Sequence, residues 1–248
     1  YTRFGPLMPG FDHIPYNNLA ELEKAFQDKN VCAFLFEPIQ GEAGVVVPDD
    51  GYISGIRNLC TEYNVLMLAD EIQTGLARTG KMLAIDHENV HADILILGKA
   101  LSGGTLPVSA VLANDDIMLN IQPGQHGSTY GGNALACAVA LESLKVLEDE
   151  RLAGNAAVMG ELFRESLNNL NSPFIKTVRG KGLLNAIVVN HVNPEAAWDL
   201  CIGLKENGLL AKPTHGDKIR FAPPLIITKE QVLECVDIIG RSLRVLEA

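Results

Sequence analysis

The chain has 248 residues, 47% hydrophobic and 20% charged, enough for one large or two ordinary domains with a sizeable core. Its formal charge is −10 with no basic cluster, which argues against nucleic acid and anionic membranes as partners, and no apolar run approaches the length of a membrane span. Five widely spaced cysteines (Cys32, Cys60, Cys137, Cys201, Cys235) form no C-x-x-C pair, and most lie in apolar surroundings and read as small core residues in a reducing compartment.

The opening Tyr1-Thr2-Arg3-Phe4-Gly5-Pro6 is neither an initiator methionine nor a signal or transit peptide, and reads as a start inside a longer chain. Cytoplasm and mitochondrial matrix therefore both stay open for an intracellular protein. Phe4 to Asn17 is rich in Pro and Gly and predicts extended loop. Asn18 then precedes Leu19-Ala20-Glu21, an N-cap with glutamate at the third helical position, and predicts a helix to about Asp28. Val31 to Phe36 has strand length and stops at Pro38; Asp50 to Asn64 has helical character. Val65 to Ala69, Ile94 to Leu97 and Val108 to Leu112 are further buried strands, the first ending on Asp70-Glu71. Continuous apolar strands separated by mixed segments predict an α/β fold with a largely parallel sheet covered on both faces. Between Ile72 and Asp93 only a short helix is expected.

Gly131 to Glu150 predicts a long amphipathic helix. After Arg151 the pattern becomes α+β: a helix from Leu152 to Asn168, strands at Phe174–Val178 and Leu183–Val189, and a helix from Pro194 to Asn207. A hairpin at His215-Gly216-Asp217 and a last helix from Lys229 to Leu246 complete it. A domain boundary is expected near residue 150, giving domains 1–150 and 151–248.

Two motif matches are set aside. His87-Glu88-Asn89-Val90-His91 fits the zinc-binding H-E-x-x-H, but the strand at Ile94 leaves no room for the long helix that would present both histidines, so no metal is expected. Gly75 to Met82 nearly fits a nucleotide-binding G-x-x-x-x-G-K-[ST] loop, with Met82 in place of the magnesium-holding hydroxyl. An ATPase carboxylate would also belong a strand or more after such a loop, whereas Asp70-Glu71 stands immediately before it.

The run "DILILGKALSGG" raises a sharper question, since it ends an apolar strand on Lys99. A lysine there costs desolvation unless it is paired, reaches water, or is used in its neutral form. Asp70 ends the strand before it. If the two strands are parallel neighbours, both side chains reach the carboxyl edge of the sheet, where open α/β folds bind ligands. Such a lysine and carboxylate suit pyridoxal phosphate, the lysine supplying a Schiff base and the carboxylate keeping the pyridine nitrogen protonated. A surface salt bridge is the competing reading.

The stretches "EPIQGEAGVVVP", "LADEIQTGLARTGK", "LGKALSGG", "HGSTYGGN", "VRGKGLLNAI" and "NGLLAKPTHGDKIRFAPPL" resemble, in order and over almost the whole chain, the class III pyridoxal-phosphate aminotransferases, with wording closest to the branch acting on ornithine. The branches acting on acetylornithine and 4-aminobutyrate share the lysine and aspartate. The resemblance implies a fold-type I transferase: residues 1–150 form part of the large mainly parallel α/β/α domain and 151–248 the small α+β domain. It implies Lys99 as Schiff-base lysine and proton shuttle, working neutral through burial and its chemical neighbours, and Asp70 as pyridinium partner. Ile72 would pack on the cofactor ring and Gln73 would bond its phenolic oxygen. Ser128 and Thr129 would reach the phosphate of a neighbouring subunit, implying a homodimer. Arg220 would grip a carboxylate of 2-oxoglutarate, and Glu42 would pair with Arg220 when L-ornithine is bound. The family's proline after "YGGN" is Ala134 here, tolerable near a helix start.

The resemblance also implies an N-terminal half beyond these residues, carrying a phosphate-cupping loop, a ring-stacking aromatic and an arginine for the ornithine α-carboxylate. These residues alone are expected to be inactive and poorly folded, with buried strands lacking neighbours. An inactive aminotransferase-like chain with an assembly role is the alternative of a different class.

Overall fold

Asn18 caps the first helix as its spacing predicts, its side chain accepting the Glu21 amide at 3.0 Å at the head of α1 (Leu19–Ala25). The computed structural model describes residues 5–247, so Tyr1 to Phe4, including the first residue of the expected N-terminal loop, lie outside the described residues. β1 (Ala33–Phe36), α2 (Tyr52–Tyr63), β2 (Leu66–Asp70), β3 (Ile94–Leu97) and β4 (Ala110–Ala113) follow, and the strands form one sheet in the order β1-β2-β3-β4. β1, β2 and β3 run parallel. β4 is antiparallel to β3, because a 3-10 turn (Lys99–Ser102) rather than a crossover helix connects them.

Coverage of this sheet differs from expectation. Phe36, Met67 and Ala69 pack with Leu22 of α1 and Ile56 of α2 in a closed core. The opposite face carries Leu35, Leu66 and Val111, respectively 52%, 36% and 58% exposed, so the described residues cover one face only. Apolar residues on both faces reflect a sheet made to be sandwiched.

The segment Ile72–Asp93 holds one 3-10 helix, Ala84–Glu88. α3 (Asp115–Met118) and an exposed stretch lead to α4 (Ala134–Asp149), capped by Asn133, whose side chain accepts the Ala136 amide at 2.8 Å. α5 (Leu152–Asn169), β5 (Ile175–Lys181), β6 (Leu184–Val189), α6 (Ala196–Glu206), β7 (Lys212–Thr214), β8 (Lys218–Phe221) and α7 (Lys229–Ser242) complete the chain, with a final 3-10 turn at Leu243–Glu247. Their antiparallel sheet has the order β5-β6-β8-β7. Its own core joins Ile187 and Ile219 to Phe163, Leu200 and Ile239 on the three helices.

The loop Gly75–Met82 forms the joint between the two sheets. Leu183, in the turn between β5 and β6, donates its amide to the Arg78 carbonyl. Gly182, at φ +54, lies so close that an added Cβ would stand 2.3 Å from the Thr79 carbonyl carbon. Behind it, a Cβ on Gly160 of α5 would meet the Gly182 oxygen at 1.8 Å. The near-match to a nucleotide loop is thus a packing surface. His87 and Glu88 have structural partners too: His87 Nε2 is 3.0 Å from the Thr79 carbonyl, and the Glu88 carboxylate accepts the Gly51 and Ser54 amides at the start of α2.

Candidate active site

The parallel pairing sets Asp70 beside Ile96 of β3, and Lys99 follows that strand by two residues. Aspartate and lysine therefore meet at one carboxyl edge. Asp70 Oδ1 accepts the Ile72 amide at 3.0 Å, which fixes the carboxylate at the turn out of β2. Ile72 leans over Gly98, where an added Cβ would lie 3.4 Å from its Cγ2. Lys99 has left-handed backbone, φ +42, and its side chain stands at the wall of a cavity of about 560 Å3 shared with Ser109, Ser128, Tyr130, Asn133 and Cys137. Burial does not extend to the lysine: Lys99 is exposed within this chain because the cavity is open, so the expected desolvation of its amine is not supplied by the described residues.

A second group of charges faces the same edge. Glu42, in a short loop closed by the Gln40–Val46 bridge, accepts the Arg220 guanidinium from β8 on Oε1 and Lys212 Nζ from β7 on Oε2 at 3.3 Å. Gln73 completes the cluster, its amide nitrogen 3.3 Å from Glu42 Oε1 and its amide oxygen 3.3 Å from Arg220 Nη1. Arg220, Gln73 and Lys212 hold the Glu42 carboxyl well below the usual range, at about 2, Arg220 contributing most. Thr214 fixes the loop by donating its hydroxyl to the Glu42 carbonyl at 2.6 Å.

Ser128 and Thr129 lie apart from this cluster. Ser128 Oγ accepts the Gly131 amide at 3.0 Å, and every residue from Leu119 to Leu135 is exposed. Of the residues singled out by sequence, the structure gathers Asp70, Ile72, Gln73, Lys99, Glu42 and Arg220 at one edge, and brings Ser128 to the cavity beside Lys99. Sequence reasoning passed over Lys212 and also Glu37, which directly follows β1 where Asp70 closes the neighbouring β2. That shared strand-end position is the signal that could have found Glu37.

The architecture is that of the fold-type I transferases that use pyridoxal phosphate. A family model described as "Aminotransferase class-III" matches residues 1–243, and the chain belongs to that family. It is 63% identical over 243 residues to the mitochondrial ornithine aminotransferase of Drosophila melanogaster, covering 98% of this chain and 56% of that protein. Among solved structures, an ornithine aminotransferase from Toxoplasma gondii, crystallised with oxidised glutathione and showing partial occupancy of PLP at its active site, superposes with a TM-score of 0.95 at 50% identity, over 100% of this chain and 58% of that one. An acetylornithine aminotransferase from Elizabethkingia anophelis superposes with a TM-score of 0.92 at 57% identity, over 96% of this chain and 63% of that one. The chain spans a little more than half the length of the curated relatives it matches.

Proposed function

We propose that these residues belong to an ornithine aminotransferase that moves the δ-amino group of L-ornithine to 2-oxoglutarate, giving glutamate 5-semialdehyde and glutamate, with pyridoxal 5'-phosphate as cofactor. The observation that carries this is the joint placement of Asp70 and Lys99 at one sheet edge, with the Glu42–Arg220 pair facing it. A primary amine, a carboxylate anchored by a backbone amide and an open cavity fit the aldehyde and ring nitrogen of that cofactor. When bound, it would act as an electron sink for the substrate carbon.

The chain's own residues supply the rest. Lys99 is the group to hold the cofactor aldehyde and to carry the proton at the substrate carbon. Asp70 keeps a negative charge at the ring nitrogen, and Ile72 limits the ring's position. Gln73, bonded here to Glu42 and Arg220, lies between the ring site and the carboxylate site and would reach the phenolic oxygen. Arg220 offers a fork for the carboxylate of 2-oxoglutarate. While Glu42 occupies that fork its carboxylate offsets the charge of Arg220, which suits a substrate whose reacting end is an amine.

The exposure of Ser128, Thr129 and their neighbours supports the reading that they serve the phosphate of a second copy in a homodimer. The two separate sheets support a boundary near residue 150, with 1–150 carrying the cofactor site and 151–248 the smaller unit. Relatives named mitochondrial support an intracellular location.

Borohydride reduction of the intact purified protein, followed by peptide mapping, tests the cofactor assignment. A pyridoxyl adduct on Lys99 is expected, and Lys99→Ala is expected to abolish transamination while the protein stays folded. No adduct, or a Lys99→Ala variant with near-normal turnover, overturns the reading. The likeness to the Elizabethkingia enzyme favours acetylornithine as the second donor to assay, and faster turnover of it than of ornithine would transfer the assignment.

A further inference from the structure

The edge that carries Asp70 and Lys99 carries a third ionisable group. The β1–β2 register pairs Phe36 with Ala69, so the next residue of each strand, Glu37 and Asp70, leave the sheet side by side. Phe36 and Ala69 point into the closed core, and by strand alternation the two carboxyls fall on the opposite side. Neighbouring strands lie only about 4.8 Å apart, so a negative charge on Asp70 disfavours a second one on Glu37.

Other contacts hold Glu37 in place. The Tyr16 hydroxyl donates to its carbonyl at 3.2 Å and to that of Pro38 at 2.9 Å. Its Oε2 accepts the Gly41 amide at 3.3 Å, at the entrance to the loop that carries Glu42. Resting on the proposed cofactor site, we infer that Glu37 and Asp70 act as a carboxyl pair in which Glu37 holds the single proton, so that one anion faces the cofactor nitrogen. Glu37 is then a positioning residue: it touches neither cofactor nor substrate and acts through Asp70.

The charges around Glu37 agree with this division. Burial pushes its carboxyl above the usual range; the Gly41 amide opposes that, Asp70 raises it, Lys99 lowers it and Glu42 raises it. Asp70 accepts the Ile72 amide at 3.0 Å, a shorter bond than the one Glu37 takes from Gly41. When Glu37 does ionise, a second negative charge arrives beside Asp70 and Lys99. The negative charge facing the cofactor nitrogen then changes with pH. A carboxylate serving only to cap Gly41 would have no such effect.

Glu37→Gln separates the two roles, since its amide oxygen still accepts from Gly41 while the titrating proton is gone. Infrared spectra of the cofactor-free intact protein near neutral pH are expected to show a protonated-carboxyl band that Glu37→Gln lacks. With pyridoxal phosphate as the added ligand, the affinity of Glu37→Gln is expected within about threefold of wild type. Its pH dependence is expected to lose the step that wild type shows where Glu37 ionises. Glu37→Ala, which also removes the Gly41 acceptor, serves as the control for simple loss of the loop. An unchanged band together with an unchanged pH profile in Glu37→Gln overturns the inference. Absence of any Lys99 adduct in the wild type would instead remove the cofactor site on which it rests.

Discussion

Arg78 and Leu183 hold each other by two reciprocal bonds: the Leu183 amide donates to the Arg78 carbonyl at 3.0 Å, and the Arg78 guanidinium donates back to the Leu183 carbonyl at 3.1 Å. The same guanidinium donates to the Pro223 carbonyl at 2.6 Å, so one side chain ties the loop after β2 to two turns of the second sheet. Burial lowers the guanidinium to about 10, which still leaves it charged at neutral pH. Arg78→Met strands two carbonyls at the joint and is expected to destabilise the protein by about 3 kcal/mol. Lysine has no planar fork, so Arg78→Lys recovers only part of this. Denaturant titration of the intact protein reads both, and a loss under about 0.5 kcal/mol for Arg78→Met would remove the joint as a stabilising contact.

Two glycines of α5 make a matched pair. Gly160→Ala forces a methyl into the Gly182 backbone, whereas an added Cβ at Gly154 meets nothing within 4 Å. The first substitution is expected to cost about 2 kcal/mol through overpacking. The second is expected to add about 0.5–1 kcal/mol of stability through helix propensity. Equal effects in thermal unfolding would contradict the close contact.

For Glu42 the sign of the pH dependence follows from its depressed carboxyl. A carboxylate lowered in the folded protein stabilises it above the ordinary range of about 4.3, and the contribution is lost as pH falls through about 2. Neutral pH therefore never releases Arg220; only a competing carboxylate does. Glu42→Gln is expected to raise the affinity for 2-oxoglutarate roughly tenfold and to reduce the preference for ornithine over glutamate as donor. Lys212→Met should act the other way, because Lys212 otherwise shares the Glu42 carboxylate. Half-reaction rates with each donor check both, and parallel shifts in the two variants would refute the competition.

Gly41 governs Gln73. A Cβ there would stand 1.4 Å from Gln73 Oε1, the end of a flexible side chain, so the glutamine rather than the fold gives way. Gly41→Ala is expected to change stability by less than about 1 kcal/mol while weakening the grip on 2-oxoglutarate. Thermal unfolding and ligand titration on one sample decide this; a large stability loss with intact binding is the contrary result.

Much of this could be read in advance because it is written locally. Asn18 and Thr228 mark helix starts through bonds within one turn, and Asp70 and Lys99 announce themselves by ending apolar runs. The helix after Lys229 was also legible, although its last turn tightens to 3-10 from Leu243 onward. What could not be read depends on residues distant in sequence. The direction of β4 turns on a 3-10 connection with no strong pattern. The second face of the first sheet looks buried in sequence because Leu35, Leu66 and Val111 are apolar, yet nothing among the described residues lies over it. Arg78 resembled part of a phosphate loop because its carbonyl partners, at Leu183 and Pro223, are far along the chain. Glu37 is masked by Pro38, a residue that marks where the strand stops and says nothing of the acid before it.

The left-handed backbone of Lys99 sets how its amine can move. A lysine carried on by a straight strand would have its root fixed only by the sheet's ladder of backbone hydrogen bonds. At φ +42 the chain turns on the lysine itself, and the 3-10 turn through Ser102 secures the bend. The α-carbon is thus a fixed pivot, and the reach of the amine is an arc drawn by four side-chain torsions about one point. Motion at this site is confined to the tether, so contacts made and broken by the amine need not disturb the sheet.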